Sequence, residues 1–387
     1  MALFVSVAVA MMGVGIVAPI LPLLAQTFSA GGFAIGLSFS AFPLARMLVG
    51  PVIGRLSDHI GRKRLLVLGL AGFTVISILY VITSSIWQLA LFRFLQGGAS
   101  MLVTPIAQAY VGDVTPAGKE GRSINAFYVS MFLGMAVGPL LGGTLAEAWG
   151  FRASFLAMGA LSSCALILVL WTVPPDARRV GARPRAAPTP IRTLLRSDSV
   201  KALLLYFATR GVWRQGFNAF FPLWAASRLG LSESSIGLIL STYMLSGGVL
   251  QLPFGMLADR WPRRIQVAIG SAGAPLLLLV VPYLSSTLQF AALTFTVGAL
   301  SALSRASMLA IRTALGRKHG MGTLAGLHGA AFSSGQMLGP TAFGAIADGI
   351  GLSAAFPFGA AVGFAATVLV VRWLRRDRGE PAADAVS

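Results

Sequence analysis

The sequence predicts an all-α membrane protein of twelve transmembrane helices in two six-helix halves related by a parallel pseudo-twofold repeat. Three observations carry that prediction. Of 387 residues, 56% are hydrophobic and 11% charged, against roughly 25% charged in an ordinary soluble domain. Spans of about 20 apolar residues joined by loops of about ten leave room for about twelve crossings, and apolar runs of that kind can be marked along the whole chain. Finally, Gly54, Asp58, Gly134, Gly138, Pro139, Gly150 and Phe155 reappear as Gly255, Asp259, Gly335, Gly339, Pro340, Gly351 and Phe356, each 201 positions on, and the acidic Glu147 returns as Asp348. An offset of six spans keeps both copies in one membrane orientation.

In hydrocarbon each backbone N–H and C=O must be satisfied within its own segment, so these runs become helices, with Gly and Pro tolerated as close contacts and kinks. Span 1 (2–24) lacks a basic leading segment and is too long for a cleaved signal peptide. Its Gly13, Gly15 and Ala18 imitate a dinucleotide loop but lack the strand and helix that would flank one. Spans 2 to 6 follow at 33–54, 65–83, 86–111, 123–145 and 153–174. Cys164, the single cysteine, rules out an intramolecular disulfide and reads as an inert core residue. Residues 175–201 carry Pro175, Pro184, Pro188, Pro190 and several arginines, too little apolar content to pack. Spans 7 to 12 are expected at 202–226, 234–256, 265–284, 288–311, 323–345 and 353–373. The domains are then a half at 1–174, a cytoplasmic linker at 175–201, a second half at 202–373 and a tail at 374–387.

A net charge of +18 would in a soluble protein suggest a nucleic-acid partner. Here the basic residues collect in alternate loops, such as Arg55, Arg62, Lys63 and Arg64, while the intervening loops hold only Arg152 and Arg228. By the positive-inside rule the basic loops and both termini are cytoplasmic, in a plasma (inner) membrane, and nucleic acid drops out as a partner.

Between spans 2 and 3 the stretch Gly54-Arg55-Leu56-Ser57-Asp58-His59-Ile60-Gly61-Arg62-Lys63-Arg64 fits G-x-L-x-D-x-x-G-R-K/R. Its second copy keeps Gly255, Asp259, Arg263 and Arg264 but has Pro262 where Gly61 stands. Span 5 carries Gly134, Gly138, Pro139, Gly142 and Gly143 as G-x-x-x-G-P-x-x-G-G; span 1 adds Gly13, Pro19 and Pro22, and span 4 adds Arg93, Gln96 and Gly97. With these motifs the chain resembles the major facilitator superfamily, and within it the twelve-helix drug:proton antiporters. The resemblance implies a gate in which Asp58 faces the start of span 11 near Thr323, and Asp259 the start of span 5 near Ser123. Carboxylates suit the positive N-terminal ends of facing helices. It also implies that Asp113, closing span 4, pairs with an Arg of the span 2 to 3 loop, and that the span 5 motif belongs to export. A solvated basic turn and ordinary small-residue packing are the plainer readings.

An ionisable residue at mid-span costs roughly 2.5 to 3.5 kcal/mol, so Arg46, Arg93, Arg210, Arg214 and Arg305 each call for a reason. The resemblance places spans 1, 2, 4, 5, 7, 8, 10 and 11 around a cavity where they could meet a substrate; a local helix carbonyl or polar neighbour is the alternative for each. Span 7 sets Arg210, Arg214 and Asn218 on one stripe among Trp213, Phe217, Phe220, Phe221 and Trp224, either an aromatic pocket for an amphiphile or aromatic packing. No carboxylate lies mid-span. The proton-coupling candidates are therefore His328 and Asp113, with Asp58, Glu147 and Asp348 beside them. An Arg-rich, acid-poor interior favours anionic, zwitterionic or neutral cargo over cations.

The reading is a secondary exporter of small amphiphilic compounds, working by alternating access and proton antiport; its oligomeric state is left open, with a monomer expected. The alternatives are a facilitator or importer of an organic anion or other metabolite, and a non-transporting receptor or scaffold. No G-x-x-x-x-G-K-[ST] loop for an ATP-driven pump occurs. Three His, one Cys and no mid-span acid give neither an enzyme's catalytic cluster nor a metal site, and no cofactor is expected.

Overall fold

A computed structural model of the protein describes residues 2–115, 120–174 and 191–376. The linker residues 175–190 and tail residues 377–387 lie outside the described residues, as do the side chains of Asp58 and Asp259. Among the described residues the structure is all-helical. In order the helices are α1 (Ala2–Thr27), α2 (Gly32–Ile60), α3 (Arg62–Val81), α4 (Ile86–Val114), α5 (Glu120–Trp149), α6 (Phe151–Thr172) and a single turn, α7 (Ile191–Leu194). After them come α8 (Asp198–Leu229), α9 (Glu233–Val249), α10 (Gln251–Arg260), α11 (Arg263–Leu276), α12 (Thr287–His319), α13 (Met321–Gly349) and α14 (Ala355–Arg376).

Ten candidate spans among these are long and apolar enough to cross a membrane. Helices α8 and α13, with 32 and 29 residues, match them in length but are diluted by Arg, Gln, Ser and Gly. Two expected spans are not continuous α-helices. Span 8 breaks at Leu250 into α9 and α10, where Gly247 and Gly248 weaken the helix and Pro253 cannot donate to the carbonyl four residues back. Span 9 tightens after α11 into a 3₁₀ helix, Leu277–Tyr283, bracketed by Pro275 and Pro282. Helix α8 begins at Asp198, where the Ser197 hydroxyl accepts from Val200 N at 3.4 Å and caps it. At the other end α14 runs on to Arg376, past the expected 373.

Packing follows residue size and polarity. The apolar core joins Ile16, Ile20, Phe73, Tyr80 and Phe155 to Phe220, Phe221, Phe290, Phe343 and Phe356. Leu68, Val75 and Ile78 on α3 and Trp171 on α6 are exposed, as lipid-facing side chains of a membrane bundle should be. Cys164 is exposed as well; the core position expected for it is corrected, since α6 turns that stripe outward. Helix α1 packs on α5 and α6, α2 on α4, and α3 on α4 and α6; in the later helices α8 packs on α13 and α14, and α9 on α12. The two sets meet where α2 packs on α13, α5 on α9 and α1 on α8.

Candidate functional site

The α2–α13 and α5–α9 contacts are backbone seams. A Cβ added at Gly36 would overlap the Pro340 carbonyl, and one at Gly237 would overlap the Pro139 carbonyl. Likewise a Cβ at Gly344 would strike the Gly32 carbonyl, and one at Gly143 the Glu233 carbonyl. The Ser40 hydroxyl donates to the Met337 carbonyl and lies 2.8 Å from Thr341 Oγ1, while Ser241 Oγ accepts from Leu140 N at 2.9 Å. Gly36 and Gly237, Ser40 and Ser241, Gly143 and Gly344, and Pro139 and Pro340 are each 201 residues apart. The seams are therefore made of corresponding residues.

Each seam ends on a carboxylate that caps a helix. Asp348 accepts from Gly32 N at 2.6 Å and Phe33 N at 2.8 Å, at the start of α2. Glu147 accepts from Ser234 N at 3.1 Å, at the start of α9. A helix start has backbone N–H groups without intrahelical acceptors and a partial positive charge, so a carboxylate there is favourable. Replacing Asp348 with alanine is expected to speed amide hydrogen exchange at Gly32 and Phe33 while leaving α4 and α6 protected, a pattern that mass spectrometry of peptides would resolve.

The span 5 motif serves two different contacts. Gly134, Gly138 and Gly142 press α5 onto the backbone of α1 at Ala8, Gly15 and Ile16, while Gly143 turns to α9. Gly335 and Gly339 press α13 onto α8 at Ala208 and Val212 in the corresponding way.

At the opposite end of the bundle Gly61, with φ +95°, joins α2 to α3. That conformation suits glycine, and Pro262 at the matching place makes its turn with φ −56° instead. Arg62 Nε lies 2.5 Å from Asp113 Oδ2, both largely buried. Lys63 Nζ donates to the Leu170 carbonyl at 2.9 Å, and Arg263 Nε to the Ala258 carbonyl at 3.3 Å. Gly54 lies within α2, but the contacts expected of Asp58 and Asp259 fall outside the described residues. On α13, a Cβ at Gly322, Gly326 or Gly329 would meet nothing within 4 Å, so that glycine face of the helix is open, while Leu324 and His328 hold the same turns against the core.

The five arginines form two groups. Arg93 donates to Gln96 Oε1 at 2.9 Å, which also accepts from the Tyr80 hydroxyl at 2.9 Å. Its guanidinium lies 4.6 Å from the Phe42 ring centre, and that of Arg46 5.8 Å from the same ring. In the second group Arg305 donates from Nε to Gln251 Oε1 at 2.6 Å and from an Nη to the Gly247 carbonyl at 3.0 Å, and lies over Phe132 of α5 at 4.9 Å. Arg214 sits 5.8 Å from the Tyr243 ring centre and beside Met244. Arg210, one turn earlier on α8, instead lines a small cavity with Tyr206, Trp213, Ser304 and Thr367. The shared stripe expected for the two arginines thus opens onto two surroundings.

Phe217 is 4% exposed, stacked 4.8 Å from Phe221 and edge-on to Phe356. It packs in the aromatic core, and Trp224 is tied there too, donating to Ser353 Oγ at 3.0 Å. Asn218 is nearly buried, and its Oδ1 has no hydrogen-bonding partner. His328 Nδ1 accepts from an Nη of Arg312 at 2.9 Å, and its ring lies 3.8 Å from that of Phe207. Its imidazole therefore joins α13 to α12 and α8. Sequence reasoning missed Arg312 and the seam residues Gly32, Gly36, Ser40, Gly237, Ser241 and Gly344. The 201-residue offset was the signal that could have found most of the seam set.

Apolar helices that meet along backbone seams around mid-span arginines define a polytopic membrane bundle. The profile of the Major Facilitator Superfamily matches residues 3–225 and 202–386, and the chain belongs to that family. An uncharacterized MFS-type transporter of Methanocaldococcus jannaschii is 27% identical over 377 residues, covering 95% of each chain. The multi-drug resistance efflux pump PmrA of Streptococcus pneumoniae is 26% identical over 357 residues, covering 89% of this chain and 88% of its own. Among solved structures, a bacterial homolog to the human lysosomal transporter Spinster, in an inward-facing and unoccupied conformation, superposes with a TM-score of 0.77 at 16% identity, covering 98% of each chain.

Proposed function

We propose that the protein is a monomeric exporter of small amphiphilic compounds that works by alternating access in exchange for protons. In this reading twelve helices form two halves, 1–174 and 202–373, related by a pseudo-twofold axis along the membrane normal, with both termini on the cytoplasmic side of the inner membrane. The observation that carries it is the pair of corresponding seams, closed at one end of the bundle, with a glycine face of α13 left open at the other. We read this as the inward-facing state, which a rocking motion about the midplane would exchange for its opposite. Likeness to multi-drug efflux pumps supports export.

Asp113 is the proton site we favour, because protonating it would release Arg62 at the cytoplasmic end. His328, with Nδ1 occupied by Arg312, serves better as a structural tie. The decisive assay is transport by the purified protein in liposomes under an imposed pH gradient. Accumulation that rises with the gradient and collapses with a protonophore is the expected result; gradient-independent flux would refute antiport. Asp113→Asn should abolish the pH response, with flux down by about tenfold or more, a typical minimum for losing a buried charge pair. His328→Gln should keep the response. A facilitator of an organic anion is the second reading, favoured because no described carboxylate pairs with the mid-span arginines.

A further inference from the structure

We propose that the buried polar cluster between α8, α9 and α12 is a headgroup subsite for an organic anion, a carboxylate or sulfonate held between Arg214 and Arg305 with its apolar body toward Phe132 and Met244. The proposal deepens the transport reading and rests on it. Arg210, Arg214 and Arg305 lie within electrostatic reach of one another and of the buried Tyr206 and Tyr243. None of the three pairs with a carboxylate among the described residues. Like charges gathered in a low-dielectric interior repel, and buried charges are ordinarily paired. Three cations without an acid are a site completed by an anion from outside.

The unused hydrogen-bonding groups point the same way. Arg214 Nε is buried with no hydrogen-bond partner, and the Tyr243 hydroxyl, which lies against Arg214 and Ser301, makes no hydrogen bond of good geometry to either. Buried polar atoms are almost always satisfied, so two adjacent donors left in this way call for a missing partner. Arg214 Nε and the Tyr243 hydroxyl are donors, and donors from a guanidinium and a phenol complement a carboxylate. Arg305 is held by Gln251 and the Gly247 carbonyl through Nε and one Nη, which leaves its other Nη for a ligand. Phe132 stacks on Arg305 and Met244 touches Arg214, so a flat ring and a polarizable thioether stand beside the cations, walls suited to an aromatic body. Two of the contributing elements, α5 and α9, also form a seam, so an occupant would touch a moving part.

The test uses the full-length protein in lipid nanodiscs and three probes with one naphthalene body: 1-naphthoate, 1-naphthamide and 1-naphthylmethylamine. Tryptophan quenching gives affinity and thermal unfolding gives stability. Naphthoate should bind best and the amine worst. Arg214→Gln should weaken naphthoate by about tenfold or more, and Tyr243→Phe by about threefold, the usual worth of one hydrogen bond. Because the Tyr243 hydroxyl makes no well-formed hydrogen bond to its neighbours Arg214 and Ser301, that variant should unfold close to the wild-type temperature, so it reports on binding even if Arg214→Gln folds poorly. Equal or tighter binding of the amine overturns the proposal, as does unchanged naphthoate affinity in Tyr243→Phe together with a folded Arg214→Gln. Naphthoate binding without transport would count against the transport reading and support the subsite. Transport of other compounds with no naphthoate binding would do the reverse.

Discussion

Valine at Gly36 or at Gly237 is expected to slow transport severely while leaving a folded protein. Each residue places its Cα against a carbonyl of the facing helix, Pro340 for Gly36 and Pro139 for Gly237, with no room for a Cβ. Forcing side-chain atoms into so close a contact costs about 1–3 kcal/mol or more, and each 1.4 kcal/mol is about tenfold in an equilibrium. The cost falls only on the conformation in which the seam is shut, because α2 and α13, and α5 and α9, pack within their own sets through other faces. Turnover should fall by about 10- to 100-fold with a normal thermal unfolding curve. Cysteines introduced near Ser29 should be labelled more readily from outside, since the bundle would rest with that end apart. Normal transport in both variants would show that the seam never has to close.

The contrasting prediction concerns Gly138, where leucine should prevent folding altogether. A Cβ there would collide with Gly15 and with the Met12 carbonyl of α1, a contact within the first set of helices. No rocking motion relieves it. With no relaxed conformation available, the overpacking penalty applies to every state, at about 3 kcal/mol or more for a branched four-carbon side chain. That is a large share of the 5–15 kcal/mol that ordinarily separates folded from unfolded protein. The readout is yield of monodisperse protein in detergent, expected to be near zero for Gly138→Leu and substantial for Gly36→Val. Equal yields would erase the distinction drawn between a seam and a permanent contact.

Much of the architecture was legible because apolar run length is a one-dimensional signal. Helix α3 could be marked from its apolar residues alone, and the pairing of Asp113 with an Arg of the loop after α2 followed from motif resemblance, the structure identifying that residue as Arg62. Where one helix interrupts itself, at Leu250, the local cues of Gly247, Gly248 and Pro253 were present but swamped by the apolar run around them. Side-chain direction was harder to read. Phe217 and Arg214 stand three residues apart on α8, yet one is core and the other meets Tyr243, because the facing helices decide what each stripe touches. Gly36 carried no local signature either. Its meaning came from Pro340, some three hundred residues away, and only the repeat offset linked that contact to Gly237 and Pro139.

Gates closed by long interlocking side chains must freeze many rotamers at each closure and release them at each opening, at up to about 1.5–2 kcal/mol of entropy for each long flexible residue. Here the surfaces that meet at Gly32, Gly36, Gly143, Gly237 and Gly344 have almost no rotamers to lose. Such an encounter is nearly athermal in its side-chain component, so the balance between the two access states should vary little with temperature. Drift in the cargo pocket during evolution would likewise leave the closing surfaces untouched.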